Sequence, residues 1–177
     1  QMVDIGHEVE MVLLRNKTRT YYVDPRITIR QFVYSGSSKL SMFFERLKMI
    51  RDAVKKSNPD CVITFMWDLT VMVLAATIGL NVRKVISERC LPDSDYRSVF
   101  SKLLERSFYG LADGIVYQTE GARKFCPKRL KSRSYVIPNI VLKSPIKPHI
   151  GKRQNKVVSV GRLTKQKNFS LLLDTFA

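Results

Sequence analysis

Val160-Gly161-Arg162-Leu163-Thr164-Lys165-Gln166-Lys167-Asn168-Phe169 joins an apolar run to a glycine, a cation-rich turn and an apolar segment that continues through Leu171, Leu172 and Leu173. A strand, a glycine turn and a helix start in that order form a phosphate-binding construction. The first backbone N–H groups of a helix have no intrahelical partners, and the aligned peptide dipoles place partial positive charge there. Gly161 supplies the turn, Arg162 a planar fork suited to a diphosphate, and Lys167 a flexible point charge. Asn168 suits the helix N-cap. The same residues also fit an ordinary strand-to-helix turn with solvated Lys and Arg, and spacing alone leaves both readings open.

A second pair, Glu88-Arg89, follows the apolar run Lys84–Ser87. Ligands of open α/β sheets sit beyond the carboxyl ends of the strands, so a cleft role suits the pair, as does an ion pair with a neighbouring helix. Asp68 reads as a helix cap more readily than as a contact for an acceptor hydroxyl. Trp67 reads as a sugar platform or as core. Asp93 and Asp95 suit turn and cap positions, and Thr119 an N-cap, with Glu120 either complementing the helix dipole or facing the cleft. His7 opens a strand and reads as structural. No residue of the chain is assigned a catalytic role. Cys61, Cys90 and Cys126 are widely spaced, match no zinc pattern and have only His7 and His149 to assist, so no metal and a reducing compartment are expected.

Thirty-one Lys and Arg against fifteen Asp and Glu give a net charge of +16, and no acidic residue lies between Glu120 and Asp174. A field of that sign attracts phosphates on a nucleotide, a nucleic acid or an anionic lipid surface. The patch Arg123, Lys124, Lys128, Arg129, Lys131 and Arg133 reads as a solvated face that also suits lipid headgroups or a pyrophosphate-linked acceptor. Aromatic residues are not interleaved with it as stacking platforms, which counts against nucleic acid. A non-catalytic basic module that binds nucleic acid or anionic membrane remains the alternative class. No stretch reaches the roughly 20 apolar residues that span a bilayer, and no targeting peptide is visible.

The elements that must position these groups alternate. Strands are expected at Val9–Leu14, Gln31–Tyr34, Cys61–Phe65, Lys84–Ser87, Ile115–Gln118 and Tyr135–Ile137. Leu40, Phe43, Phe44, Leu47, Ile50 and Val54 follow helical spacing over Leu40–Lys56, and further helices are expected at Thr70–Ile78, about Arg97–Leu111, and a short one after Thr119. Strands alternating with amphipathic helices predict a parallel sheet covered on both faces, a doubly wound, Rossmann-like α/β layer. Residues 1–140 are read as this domain. Residues 141–156, with Pro145, Pro148 and five basic residues, read as a linker, and 157–177 as the first βα unit of a second Rossmann-like domain. Both ends are abrupt, so the chain is expected to be an excerpt with a first strand lying upstream.

Gly6-His7-Glu8-Val9, Ser87-Glu88-Arg89, the run Ala112–Glu120 and Val136-Ile137-Pro138-Asn139 resemble the acceptor-side domain of family 4 retaining glycosyltransferases. Val160-Gly161-Arg162 with Gln166-Lys167-Asn168 resembles the opening of their donor domain. The resemblance implies a GT-B fold, two Rossmann-like domains facing across a cleft, with no cofactor and no required metal. It implies that Gly161, Arg162 and Lys167 bind the diphosphate of a nucleotide sugar, and that Glu88 and Arg89 line the acceptor side. The Ile86-Ser87-Glu88-Arg89 run is similar to enzymes that build cell-surface polysaccharides, including lipopolysaccharide, or lipid-linked oligosaccharides from UDP-sugars. The implied partners are a nucleotide sugar, a glycan or lipid-linked acceptor, and an anionic membrane touched from the cytoplasmic side. The family's glycine-rich loop would precede Gln1 and its paired donor-domain glutamates would follow Ala177, so the chain alone is expected to be inactive.

Overall fold

In the computed structural model, residues 2–14, 22–32, 38–89, 98–140, 150–152, 154–164 and 167–176 are described. Expectations that fall on Val33, Tyr34, Cys90, Asp93, Asp95, Arg97, Pro145, Pro148, Lys165 and Gln166, and on the side chains of Trp67, Asp68 and Phe100, lie outside them. The chain divides into two units, Gln1–Ile140 and Val141–Ala177.

The first unit is an α/β Rossmann-like body built on parallel strands. β1 (Glu10–Leu13) pairs with β2 (Thr28–Gln31), and β3 (Cys61–Phe65), β4 (Arg83–Glu88), β5 (Gly114–Tyr117) and β6 (Ser134–Val136) form a four-stranded sheet in that order. Every pairing is parallel, with Ile86 opposite Thr64 and Ile115, and Glu88 opposite Tyr117. Helices α1 (Lys39–Ser57), α2 (Trp67–Ala76), α3 (Val99–Phe108) and α4 (Glu120–Arg123) connect them. Parallel neighbours require such crossovers.

Burial alternates with the two-residue period along β3, whereas β4 and β5 are covered at consecutive residues. Val62, Ile86, Ile115 and Tyr117 pack under the helices. Ile86, Ile115 and Tyr117 join Leu74 of α2, with Tyr109, Ala112, Cys126 and Leu130, in the main core. Val62 joins Leu14, Ile50, Val73 and Ala76 in a second cluster around α1 and α2. The alternate residues Ile63, Phe65 and Tyr135 are exposed, so among the described residues one face of the sheet carries the helical cover. Burial, followed by a hydrogen bond with Cys126, raises the Tyr117 hydroxyl well above its ordinary range and keeps it protonated.

Several side chains act as clamps. Arg51 of α1 donates to the carbonyls of Ala76 (2.7 Å) and Ile78 (2.9 Å), closing the end of α2. Arg133 donates to the Ala112 carbonyl (2.8 Å) and Arg129 to the Arg106 carbonyl, so part of the expected solvated basic face is pinned to the end of α3 and the 3₁₀ turn Tyr109–Leu111. Asp113 accepts from Lys84 N (2.7 Å) and donates its own N–H to the Lys84 carbonyl (2.8 Å), fixing β5 against β4. Glu10 accepts from Arg30 (2.5 Å) and Ser57 (2.6 Å), tying β1 to β2 and to the end of α1.

Differences from the sequence expectations have physical causes. Met11 and Val12 of β1 are exposed although the run Val9–Leu14 is largely apolar, because among the described residues β1 has one partner strand. Leu40, Phe43 and Phe44 continue the apolar spacing of α1 but remain exposed, whereas Leu47, Ile50 and Val54 are packed. α2 starts at Trp67, not Thr70, with Met66 at the N-cap. Asp68 therefore stands inside the first turn rather than at the cap. Thr119 caps α4 as expected, accepting from Ala122 N at 3.1 Å. Val157–Val160 forms no strand, because a strand needs a ladder partner and the second unit presents no other extended run among its described residues.

At the edge of β2, Asp24 accepts from the Arg26 guanidinium (2.7 Å) and from Arg26 N (2.9 Å), and Arg26 also reaches Asp4 (2.6 Å). The guanidinium first, then the backbone N–H, lower the Asp24 carboxyl from its usual 3.8 to about 2. A depressed carboxyl contributes above its ordinary value, and that contribution is lost as the pH falls through about 2. Carboxyl-detected NMR titration is expected to place the Asp24 midpoint near 2, returning toward 3.8 in Arg26→Ala. An unchanged midpoint in that variant contradicts the assigned cause.

Candidate functional site

Parallel strands bring their carboxyl ends to one edge, and on this edge the residues that follow β3, β4, β5 and β6 converge. Arg89, the residue after β4, lies over the Phe65 ring at the end of β3, 5.3 Å from its centroid. Its guanidinium donates to the side-chain carbonyl of Asn139, and Gln118 Nε2 donates to the same oxygen at 2.7 Å. Asn139 follows β6 and Gln118 follows β5, so one amide oxygen ties three strand ends together. That double acceptance sets the orientation of the Asn139 amide and leaves its N–H2 group as a donor. Arg89 and Asn139 are exposed and Gln118 is half-buried. The result is a guanidinium set over an aromatic ring and bonded to one amide, which a second amide holds in turn, an arrangement that can grip hydroxyls or an anionic group.

Glu88 takes a different direction. One residue earlier on an extended chain points to the opposite face, and Glu88 is 3% exposed with its carboxylate accepting from the Tyr109 hydroxyl at 2.8 Å. The structure therefore separates the sequence pair: Arg89 lies on the open edge and Glu88 is buried against the 3₁₀ turn Tyr109–Leu111. Gln118, Asn139 and Phe65 were not singled out as site residues. The signal available was positional, since each ends or follows a strand at the same edge.

The turn between β3 and α2 belongs to this edge. Met66 stands there with φ 73°, a left-handed conformation unusual for a side chain of its size. It lets the chain pass from strand to helix within one residue and sets the backbone of Trp67 and Asp68 at the rim.

In the second unit two backbone hydrogen bonds flank α5 on its N-terminal side. Thr164 N donates to the Arg162 carbonyl (2.8 Å) and Lys167 N to the Thr164 carbonyl (2.9 Å). Asn168 precedes α5 (Phe169–Phe176) with φ 44°, and its carbonyl accepts from Leu172 N at 3.4 Å. A methyl placed on Gly161 would lie 3.4 Å from the Phe169 ring and 3.5 Å from Lys167 Cγ, so the glycine and the lysine stem are in close apposition. Arg162 and Lys167 are both exposed. Gly161, the Lys167 stem and the Phe169 ring at the start of α5 thus share one small locality.

Comparison with known proteins gives the family of the chain. Residues 1–141 match the model of Glycosyltransferase Family 4. The amylovoran biosynthesis glycosyltransferase AmsD of Erwinia amylovora is 31% identical over 182 residues, covering 96% of the chain and 49% of that protein. An uncharacterized glycosyltransferase of Haemophilus influenzae is 23% identical over 172 residues, covering 95% of the chain and 48% of that protein. The chain therefore spans about half the length of these curated relatives. Among solved structures, a putative UDP-N-acetylglucosamine 2-epimerase from Listeria monocytogenes superposes on 64% of the chain and 31% of its own, with TM-score 0.50 and 15% identity, a likeness of fold.

Proposed function

The chain belongs to glycosyltransferase family 4, and from that membership we propose that the full-length protein transfers a hexose or N-acetylhexosamine from a nucleotide sugar, a UDP-sugar, to a glycan or lipid-linked acceptor. The observation that carries the reading is the family match across residues 1–141. The named role of AmsD in amylovoran biosynthesis favours cell-surface polysaccharide as the product class. Transfer proceeds with retention at the sugar and without a required metal, and the present chain alone is inactive.

In this reading Gly161, Arg162 and Lys167 hold the donor diphosphate. Departure of a nucleoside diphosphate builds negative charge on its oxygens, and fixed cations with helical N–H groups stabilise that charge more in the transition state than in the ground state. Arg89 and Asn139 receive the acceptor at the strand edge, and Gln118 holds Asn139 in place. Glu88, through Tyr109, braces the edge from below. The protein works at the inner face of the cytoplasmic membrane; its net charge of +16 favours an anionic surface, and no helix among the described residues is long and apolar enough to cross one.

The test is incorporation of labelled sugar from a panel of nucleotide sugars into membrane-extractable or polymeric product by the full-length protein. Incorporation from one donor supports the reading, and none from any donor removes it. Arg89→Ala is expected to raise the acceptor KM roughly tenfold while leaving the donor KM unchanged, because a charge-assisted contact is lost on one side only. Equal effects on both KM values would contradict the division of labour.

A further inference from the structure

A groove of about 690 Å³ opens on the helix-covered side of the first unit, between α3 and the segment 125–129. Its floor is aromatic, formed by Tyr109 and Tyr117. Lys102 and Arg106 rise from α3 on one side, and Lys128 and Arg129 from the other. Among the described residues that line it Glu105 is the one acid against four cations, so they carry a surplus of positive charge. Arg129 is anchored by donating to the Arg106 carbonyl, which joins the two walls and holds its guanidinium in position.

The surroundings add a second feature. Val99 and Leu103, one turn apart on α3, are 86% and 61% exposed, and Phe125 in the opposite wall is about half exposed. A helix that shows apolar side chains and cations together on its outer surface matches a ligand that is both anionic and apolar. A soluble phosphate satisfies only the first of these.

We propose that this groove docks the headgroup of an anionic phospholipid, with the phosphate among Lys102, Arg106, Lys128 and Arg129 and with Val99, Leu103 and Phe125 entering the acyl boundary. The proposal deepens the membrane-face reading above by naming the surface and the lipid chemistry, and it does not depend on donor binding. Docking here holds α3 against the bilayer while the strand edge of Arg89 and Asn139, which is not part of the groove, remains available to an acceptor.

The test is co-sedimentation of the full-length protein with vesicles of phosphatidylcholine alone and of phosphatidylcholine with phosphatidylglycerol. The wild type is expected to bind only the anionic vesicles. The pair Lys102→Glu and Lys128→Glu should weaken binding roughly tenfold or more, and Leu103→Ser with Phe125→Ser should weaken it without any change of charge. The pair Lys55→Glu and Lys56→Glu, exposed on α1, makes the same change of net charge elsewhere and is expected to cost much less. Inorganic phosphate at matched ionic strength should not release the protein. Equal loss from both charge-reversed pairs, no loss from the groove pair, or release by inorganic phosphate would overturn the proposal. Calorimetric titration of UDP against the groove variants provides the fold check, since their donor affinity should match wild type. Loss of donor binding in the wild type with intact vesicle binding would count against the catalytic reading alone.

Discussion

Arg162→Ala in the full-length protein is expected to lower kcat/KM for sugar transfer by about a hundredfold, with most of the loss in kcat. Removing one preorganised donor from a developing oxyanion typically costs about 3 kcal/mol, and a contact that strengthens as the leaving diphosphate gains charge acts mainly on the transition state. Arg162 is exposed, so its truncation should leave folding within about 0.5 kcal/mol of wild type, and the kinetic effect can be read directly. Arg162→Lys keeps the charge but loses the two-pronged geometry, and an intermediate rate is expected. A loss of twofold or less in Arg162→Ala would place the diphosphate elsewhere.

Leu74→Ala should destabilise the first unit by about 3 kcal/mol, measured by urea denaturation. Leu74 is fully buried at the centre of the main core, against Ile86, Ile115 and Tyr117, where the surrounding sheet and helices cannot easily close the space left behind. Against a typical domain stability of 5–15 kcal/mol that is a large fraction. Leu103→Ala, an equal truncation on the exposed side of α3, should change stability by about 0.5 kcal/mol or less. Similar costs at both positions would contradict the placement of α2 over the sheet.

The alternation of strands and helices was legible because period-2 and period-3.6 patterns survive in the residues themselves. α1 differs from its expected bounds by a single residue at each end, and the Thr119 cap was readable from one side chain before a glutamate. The fate of each apolar face was not legible. Spacing marks Leu40, Phe44 and Leu103 as one-sided, but whether anything covers them depends on neighbours distant in the chain, and nothing does among the described residues. Val157–Val160 shows the same limit in another form, since a run of valines is a strand only when a partner lies alongside.

The site was half readable for a related reason. Arg89 and Lys167 could be named because their chemistry is unusual where it stands. Glu88 could not be separated from Arg89 by type, and only the pleat of β4 sends one to the core and the other to the edge. Asn139 and Gln118 are ordinary amides in sequence. They become informative once β5 and β6 lie side by side and one oxygen accepts from both Gln118 and Arg89.

The central claim, that a nucleoside diphosphate is held by Arg162 and Lys167 ahead of α5, is tested most directly by calorimetric titration of UDP and UDP-sugars against the full-length protein and its Arg162→Ala and Lys167→Ala variants. The predicted result is a UDP dissociation constant raised roughly tenfold or more in each variant, with affinity for the UDP-sugars, whose diphosphate has not yet gained the leaving-group charge, changed only about twofold. Wild-type affinity for UDP retained in both would contradict it.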